Sequence, residues 1–291
     1  MTKIIHAGDK VRHPKMPDWG IGKVMEVTSD GKARIFFIHA GEKTILLSHV
    51  DFEKVEGEDA AHPILDNPSF FERATVKGYR SLPDARLDFL KLFPDGFEDS
   101  GYLNEERNYK VAARELLLEL LNEQAFRGLL GNGDFDEIVR RALQVANKTN
   151  LIFPNEKMGL KDGLKTPSHI RLFAERLFDL LYGQGEFRKR FIAFAECLEE
   201  IEAAKWTTMT YFTFLAFPEK HMFLKPEVTK HAAALTKAEL NYTSDLNWLT
   251  YSCLLDFAKY LKDELVAMEM NPRDMIDVQS FMWCIAPGKY A

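Results

Sequence analysis

Apolar and polar positions change texture once along this chain. Through residue 55 the apolar residues come in short runs broken by turns that carry glycine or proline. That is the pattern of short strands. "DKVRHP" runs up to Pro14, and "KMPDWGIG" is rich in turn residues. "GKVMEVT" reads as a strand, and "SDG" as a hairpin turn in which Gly31 takes a positive φ. "KARIFFIHA" follows as a strand, "GEK" as a second tight turn and "TILLSHV" as a further strand. Three or four short strands joined this way predict a small barrel, because a short sheet that closes on itself has no open edges.

Residues 56–68, "EGEDAAHPILDNP", have no periodicity and read as a linker. Residues 69–104 are irregular and receive no firm element. Beyond them the apolar spacing becomes helical. "NEERNYKVAARELLLELLNEQAFRGLL" places Val111, Leu116, Leu117, Leu120 and Leu121 on one broad face. "DFDEIVRRALQVANK" follows, with Asp134 as its cap. "TPSHIRLFAERLFDLLYG" is capped near Thr166 or Ser168 and ends at Gly183. Further helices are expected over "GEFRKRFIAFAECLEEIEAAK", "KPEVTKHAAALTKAEL", "DLNWLTYSCLLDFAKYLKDELVAM" and "NPRDMIDVQSFMWCI". In the last, Pro272 enters the first turn behind an Asn271 cap. The expected organisation is a small β-barrel docking domain (1–55), a linker (56–68) and a larger, mostly α-helical domain (69–291).

Composition alters this picture little. The chain has 291 residues, 46% hydrophobic and 28% charged, with a net charge of -6. That balance argues against a general nucleic-acid coat and leaves room for a local basic patch. Residues 1–55 carry nine Lys/Arg against seven Asp/Glu, so the small domain is the basic part. Cys197, Cys253 and Cys284 are far apart and form no CxxC pair, which suits a reducing compartment and gives no cysteine zinc site. The N-terminus lacks a signal-peptide apolar region. The longest uncharged run, "WTTMTYFTFLAFP", has 13 residues, four of them Thr, too short and too polar to span a bilayer. A cytoplasmic protein is expected, with no membrane partner.

Catalytic signatures are sparse. Neither GxxxxGK[ST] nor GxGxxG occurs, and "GLLGNGDF" follows a helix, so its GNG reads as a C-cap and turn. HExxH is absent. His13, His39 and His49 lie in the barrel segment with no accompanying carboxylate pattern. Asp274 and Asp277 stand at i, i+3 on one helical side, a spacing that fits a cap and an inter-helix salt bridge better than nuclease metal ligands. No GxSxG elbow exists. No metal, cofactor or catalytic residue is assigned. "EFRKRFIAF" sets Arg188, Lys189 and Arg190 outward beside Phe187 and Phe191, so these three are candidate nucleic-acid contacts, with a solvated helix face as the alternative. "FPEKHMFLKPEVTKH" is a second basic–aromatic stretch.

"HPKMPDWGIGKV", residues 13–24, joins the first strand to the second. Trp19 sits there between stiffening prolines and permissive glycines. It either caps the barrel core or forms part of a binding face, and an indole can do both. The string Gly8, Val11, His13-Pro14, Asp18-Trp19-Gly20, Gly22, Val24, Phe36, Ala40-Gly41, Lys43 resembles the small domain of unknown function found alone or at the C-terminus of UvrD/PcrA-type helicases. That domain is related to the Tudor-like and SH3-like modules of CarD-type RNA polymerase-binding proteins. The resemblance covers about residues 7–55. It implies an SH3/Tudor-like barrel that docks to RNA polymerase or a DNA-repair or helicase complex, with Arg12, His13, Lys15, Asp18, Trp19, Lys23 and Lys43 as binding residues. No helicase motor motif accompanies it. The C-terminal "PRDMIDVQSFMW" more loosely resembles a helical region of uncharacterised, restriction-associated bacterial proteins.

The leading expectation is a non-catalytic bacterial adaptor. The alternatives are a DNA- or RNA-binding module, a metal-dependent nucleic-acid enzyme with its site in the helical domain, and a sensor whose helical domain encloses a small molecule. The 22 phenylalanines bear on the last, although core packing also accounts for them.

Overall fold

The computed structural model describes residues 5–38, 40–62, 65–66 and 81–288. Two compact units are present, Met1–Gly96 with Asp263–Asn271 and Phe97–Lys262 with Pro272–Ala291.

The first unit holds five antiparallel strands: β1 (Lys10–Arg12), β2 (Ile21–Val27), β3 (Lys32–Phe37), β4 (Gly41–Leu46) and β5 (Glu53–Lys54). Their order across the sheet is β4-β3-β2-β1-β5. Strand alternation sends Val11, Val24, Ala33, Ile35 and Phe37 to one face, where Ile5, Ala40 and Phe52 complete a core. Gly22 is required there by packing, since a Cβ would stand 2.6 Å from the Phe37 ring and 2.8 Å from Ile35. Gly31 closes the β2–β3 hairpin at φ 78°, as its turn signal predicts.

The barrel expectation is corrected by this sheet, which is open. Among the described residues β5 pairs with β1 alone, through Val11↔Lys54 and Arg12↔Glu53, and β4 is the opposite edge. The reason lies in both ends. β5 is only two residues long, and the chain leaves β4 at Leu46 into a 3-10 turn, Leu47–His49. The start of β4 also packs against the helix α1 (Leu82–Leu92), where a Cβ on Gly41 would stand 2.9 Å from the Asp84 carboxylate. "GEK" is therefore strand rather than turn, and "TILLSHV" is the end of β4 followed by the 3-10 turn. α1 falls in the stretch that showed no clear period. Its start is fixed by Ser81, whose hydroxyl accepts the Asp84 N–H while the Asp84 carboxylate takes the Ser81 N–H. Part of the expected linker is seen. Gly57–Ala60 is a 3-10 turn, and Leu65 is fully buried. Residues 63, 64 and 67–80 lie outside the described residues, as does His39.

The second unit is mostly helical. Its helices are α2 (Asn108–Leu120), α3 (Glu123–Asn132), α4 (Phe135–Asn147), α5 (Pro154–Gly163), α6 (Pro167–Tyr182), α7 (Phe187–Glu200), α8 (Trp206–Ala216), α9 (Pro226–Thr236), α10 (Trp248–Ala267, to Lys262 in this unit) and α11 (Met275–Cys284). The helical run expected over 104–130 is two helices, because Asn122 takes extended backbone and caps α3 by accepting the Ala125 N–H at 2.9 Å. Gly133 ends α3 in the left-handed region, as its GNG sequence suggests. Thr166 caps α6. α8 is buried along all eleven residues and packs on α2, α5, α6 and α7. Two of its four threonines, Thr210 and Thr213, bond locally to carbonyls of the helix. The Thr210 hydroxyl donates to the Trp206 carbonyl at 2.8 Å and accepts the Leu224 N–H at 2.9 Å. No helix among the described residues is long and apolar enough to cross a membrane.

α11 is tied down by charge. Its cap is Asp274 and not Asn271, which stands at φ 50° in the preceding turn. Arg107, from a π-helical segment (Leu103–Arg107) ahead of α2, donates to both Asp274 oxygens at 2.9 and 2.8 Å and to Asp277 Oδ1 at 2.8 Å. Arg273 donates its N–H and Nε to Asp277 Oδ2, both at 2.9 Å, and the Tyr102 hydroxyl donates to Oδ1 at 2.5 Å. Burial raises the pKa of Asp274, yet the Arg107 pairing outweighs it and holds the carboxyl below its usual range. Replacing Arg107 by Ala leaves the buried Asp277 short of a counter-ion. The expected cost is about 3–5 kcal/mol, read as a lowered urea midpoint for the helical unit.

Candidate functional site

Of the residues expected to bind, three come together on the core face of the N-terminal sheet. Pro17–Trp19 forms a 3-10 turn that closes at Gly20, whose N–H reaches the Pro17 carbonyl and whose φ is 71°. This turn sets the Trp19 indole over the sheet, with its centroid 5.1 Å from the Phe37 ring and 5.0 Å from the His13 ring. His13 meets Phe52 edge-on at 5.5 Å. The Lys43 ammonium lies 5.7 Å from the Trp19 centroid, a cation–π arrangement. Trp19 is only half-buried, so one side of the indole is fixed by packing and the other meets solvent. His13 is buried, and its Nδ1 accepts the Lys15 N–H at 3.2 Å. Burial, aided by the charge of Lys15, moves the imidazole pKa below its ordinary value, so the ring serves as a neutral wall.

The other expected residues are distributed differently. Arg12 follows buried Val11 on β1, and alternation turns it to the opposite face of the sheet, where it is exposed. Lys23 opposes Lys10 across the β1–β2 pair and donates to the Leu65 carbonyl at 2.8 Å. Its ammonium therefore fastens residue 65 to the sheet. Lys15 and Asp18 are exposed beside Trp19 in sequence. In the helical unit Arg188 and Lys189 are exposed on the first turn of α7, and Lys189 stands 3.6 Å from Glu186. Arg190 is partly buried and donates to the carbonyls of Asp179 and Leu180 at 3.2 and 2.9 Å, which closes the end of α6.

One polar cluster gave no signal in the sequence. Lys110 is fully buried on α2 and donates to Glu106 at 3.2 Å and to the Ser280 hydroxyl at 2.7 Å. Burial lowers its pKa. A cavity of about 50 Å³ adjoins it, lined also by Tyr109, Lys225, Gln279 and Trp283. The Lys225 ammonium lies 4.3 Å from the Phe153 ring centroid and 4.7 Å from that of Trp283. Gln279 Oε1 is buried without a donor among the described residues. The volume matches a few water molecules, one of which would supply that donor. Glu106 and Lys110 stand at i, i+4, a spacing that in sequence describes a solvated surface pair as well as a buried one. Asp274 and Asp277 spend their oxygens on guanidinium groups, and no group of three or more metal-ligating side chains is present among the described residues. The Cys197 thiol is buried and pushed up to about 12, which makes it unreactive at neutral pH.

The residue with the clearest pH signature is His221. It shares a 3.1 Å hydrogen bond with the Tyr251 hydroxyl and packs on Phe187 with centroids 4.4 Å apart. Burial, then the charges of Arg190 and Lys220, press its pKa down to about 4. A base whose folded pKa is depressed binds its proton later than the unfolded chain does. Its contribution is therefore complete above about pH 6.5 and is lost as pH falls toward 4. The helical unit is expected to lose at most about 3 kcal/mol over that window. A His221→Gln variant should lack this part of the slope in urea titrations taken between those pH values.

Residues 5–55 match a family model described as "Protein of unknown function (DUF3553)". The match spans under a fifth of the chain and carries no activity. The resemblance to SH3/Tudor-like modules of helicases and CarD-type proteins is corrected by the open sheet, which lacks their closed barrel. No curated protein and no solved structure matches the chain significantly. What the N-terminal segment is similar to is thus a family of unknown function, and the reading of its role rests on the geometry around Trp19.

Proposed function

We propose that the protein is a non-catalytic adaptor that docks through its N-terminal sheet onto a protein partner in the cytoplasm. The observation that supports this reading is the half-exposed Trp19, braced by Phe37 and His13 and overlaid by the Lys43 ammonium. A rigid indole gives a large contact area at little entropic cost, and aromatic anchors of this kind dominate protein interfaces. Lys43 adds a preference for an acidic group beside the apolar side chain that the indole receives. Lys15 and Asp18 are the polar rim. Arg12 and Lys23 belong to the opposite face and drop out of the docking set. The partners proposed are RNA polymerase and DNA-repair helicase complexes.

The test uses purified bacterial RNA polymerase and a purified repair helicase, each treated with nuclease and immobilised separately. Wild-type protein is expected to bind one of them. Trp19→Ala should weaken binding by about tenfold or more, as truncation of an interface anchor does. Because Trp19 also packs on the sheet core, Lys43→Glu supplies a change that leaves the aromatic stack in place, and it should weaken binding as well. Arg12→Glu, on the other face, should not. Equal binding by the Lys43→Glu variant, or binding to neither partner, sinks the reading.

A further inference from the structure

The two basic–aromatic stretches of the sequence stand about thirty residues apart, yet they share one cavity in the helical unit. Phe187 and Arg190 come from the first turn of α7. Phe217, Lys220 and His221 follow α8, and Trp248 opens α10. The cavity has a volume of about 440 Å³, within the range of small-ligand sites. Its walls combine four rings with three leucines, Leu180, Leu181 and Leu255. Phe187 lies 4.4 Å from His221 and 6.1 Å from Trp248, centroid to centroid, and Phe217 lies 6.3 Å from His221. Behind them Phe191 and Tyr251 stack at 4.6 Å and stiffen the platform.

Charge at the cavity has one sign. Arg190 and Lys220 line it, and among the described residues no carboxylate does. Arg190 is held in place by its bonds to the Asp179 and Leu180 carbonyls, with its guanidinium 5.2 Å from the Phe187 centroid. Lys220 is exposed and has no ion pair among the described residues. Both cations act on His221, which stays uncharged at neutral pH. Arg190 is accounted for by its bonds at the end of α6, whereas Lys220 has no such structural partner among the described residues.

We infer that this cavity binds a small planar aromatic anion of the nucleoside monophosphate class, its ring against Phe187, His221 and Trp248 and its anionic group on Lys220. Aromatic walls accept the faces of many rings, so they set the class of the ligand and leave base identity open. The cations select the charged form over the neutral nucleoside. This inference is independent of the docking reading, which concerns the other unit.

Isothermal titration of the full-length protein with AMP, GMP, CMP and UMP tests it. At least one should bind with Kd below about 1 mM, and its nucleoside should bind about tenfold more weakly or worse. Inorganic phosphate alone should not bind measurably. Lys220→Glu, a change at an exposed residue, should cost about tenfold or more in affinity with the melting temperature unchanged. Trp19→Ala should leave mononucleotide binding as it is. The inference is overturned if none of the four binds below about 1 mM, or if the Lys220→Glu variant binds as wild type. It is also overturned if only a 5′-phosphorylated single-stranded hexanucleotide binds, since that ligand reports a nucleic-acid groove.

Discussion

A single buried carboxylate organises the C-terminal end of the helical unit. Asp277 is fully buried and is held by the guanidinium groups of Arg107 and Arg273 and by the Tyr102 hydroxyl. A charge taken out of water at that depth is tolerable only when hydrogen bonds replace its hydration. The requirement fixes the register of α11 against the π-helical segment before α2. One turn along α11, Ser280 then meets Lys110, and Gln279 and Trp283 reach the small polar cavity. The extra residue of the π segment is consistent with this demand, since such bulges re-aim side chains that a regular helix would carry past their partners.

The N-terminal unit is governed by a different constraint. Its sheet is too small to bury a core by itself, so the core is completed by the segments around the strands. His13 and Trp19 from the first connection and Phe52 before β5 close over Phe37. The indole is therefore architecture and exposed surface together. Residue 65 is fastened to the sheet through Lys23, and α1 covers the start of β4. An open sheet needs such cover, because unpaired strand edges recruit other strands.

One side-chain arrangement recurs in the two units. Each sets cations beside aromatic faces, Lys43 over Trp19 and Arg190 over Phe187. A side chain at such a site meets a surface already ordered by packing, and little entropy remains to be lost on association.

Local chemistry determined much of this protein from its sequence. Turn residues placed the β2–β3 hairpin at Gly31, Thr166 and Gly183 bounded α6, and Gly133 ended α3, since each signal is a backbone requirement met within a few residues. Helical periodicity marked most of the second unit for the same reason. Closure of the sheet was not legible, because it depends on whether β4 and β5 pair, and those strands follow one another in the chain yet stand at opposite edges of the sheet. α8 escaped the periodic reading because a helix buried on every side has no polar face to set a period. The burial of Lys110, the division of Arg12 and Lys23 from Trp19, and the meeting of Phe187 with His221 and Trp248 were likewise decided by tertiary packing. A residue's type says what its side chain can bond, and only the fold says what stands within reach.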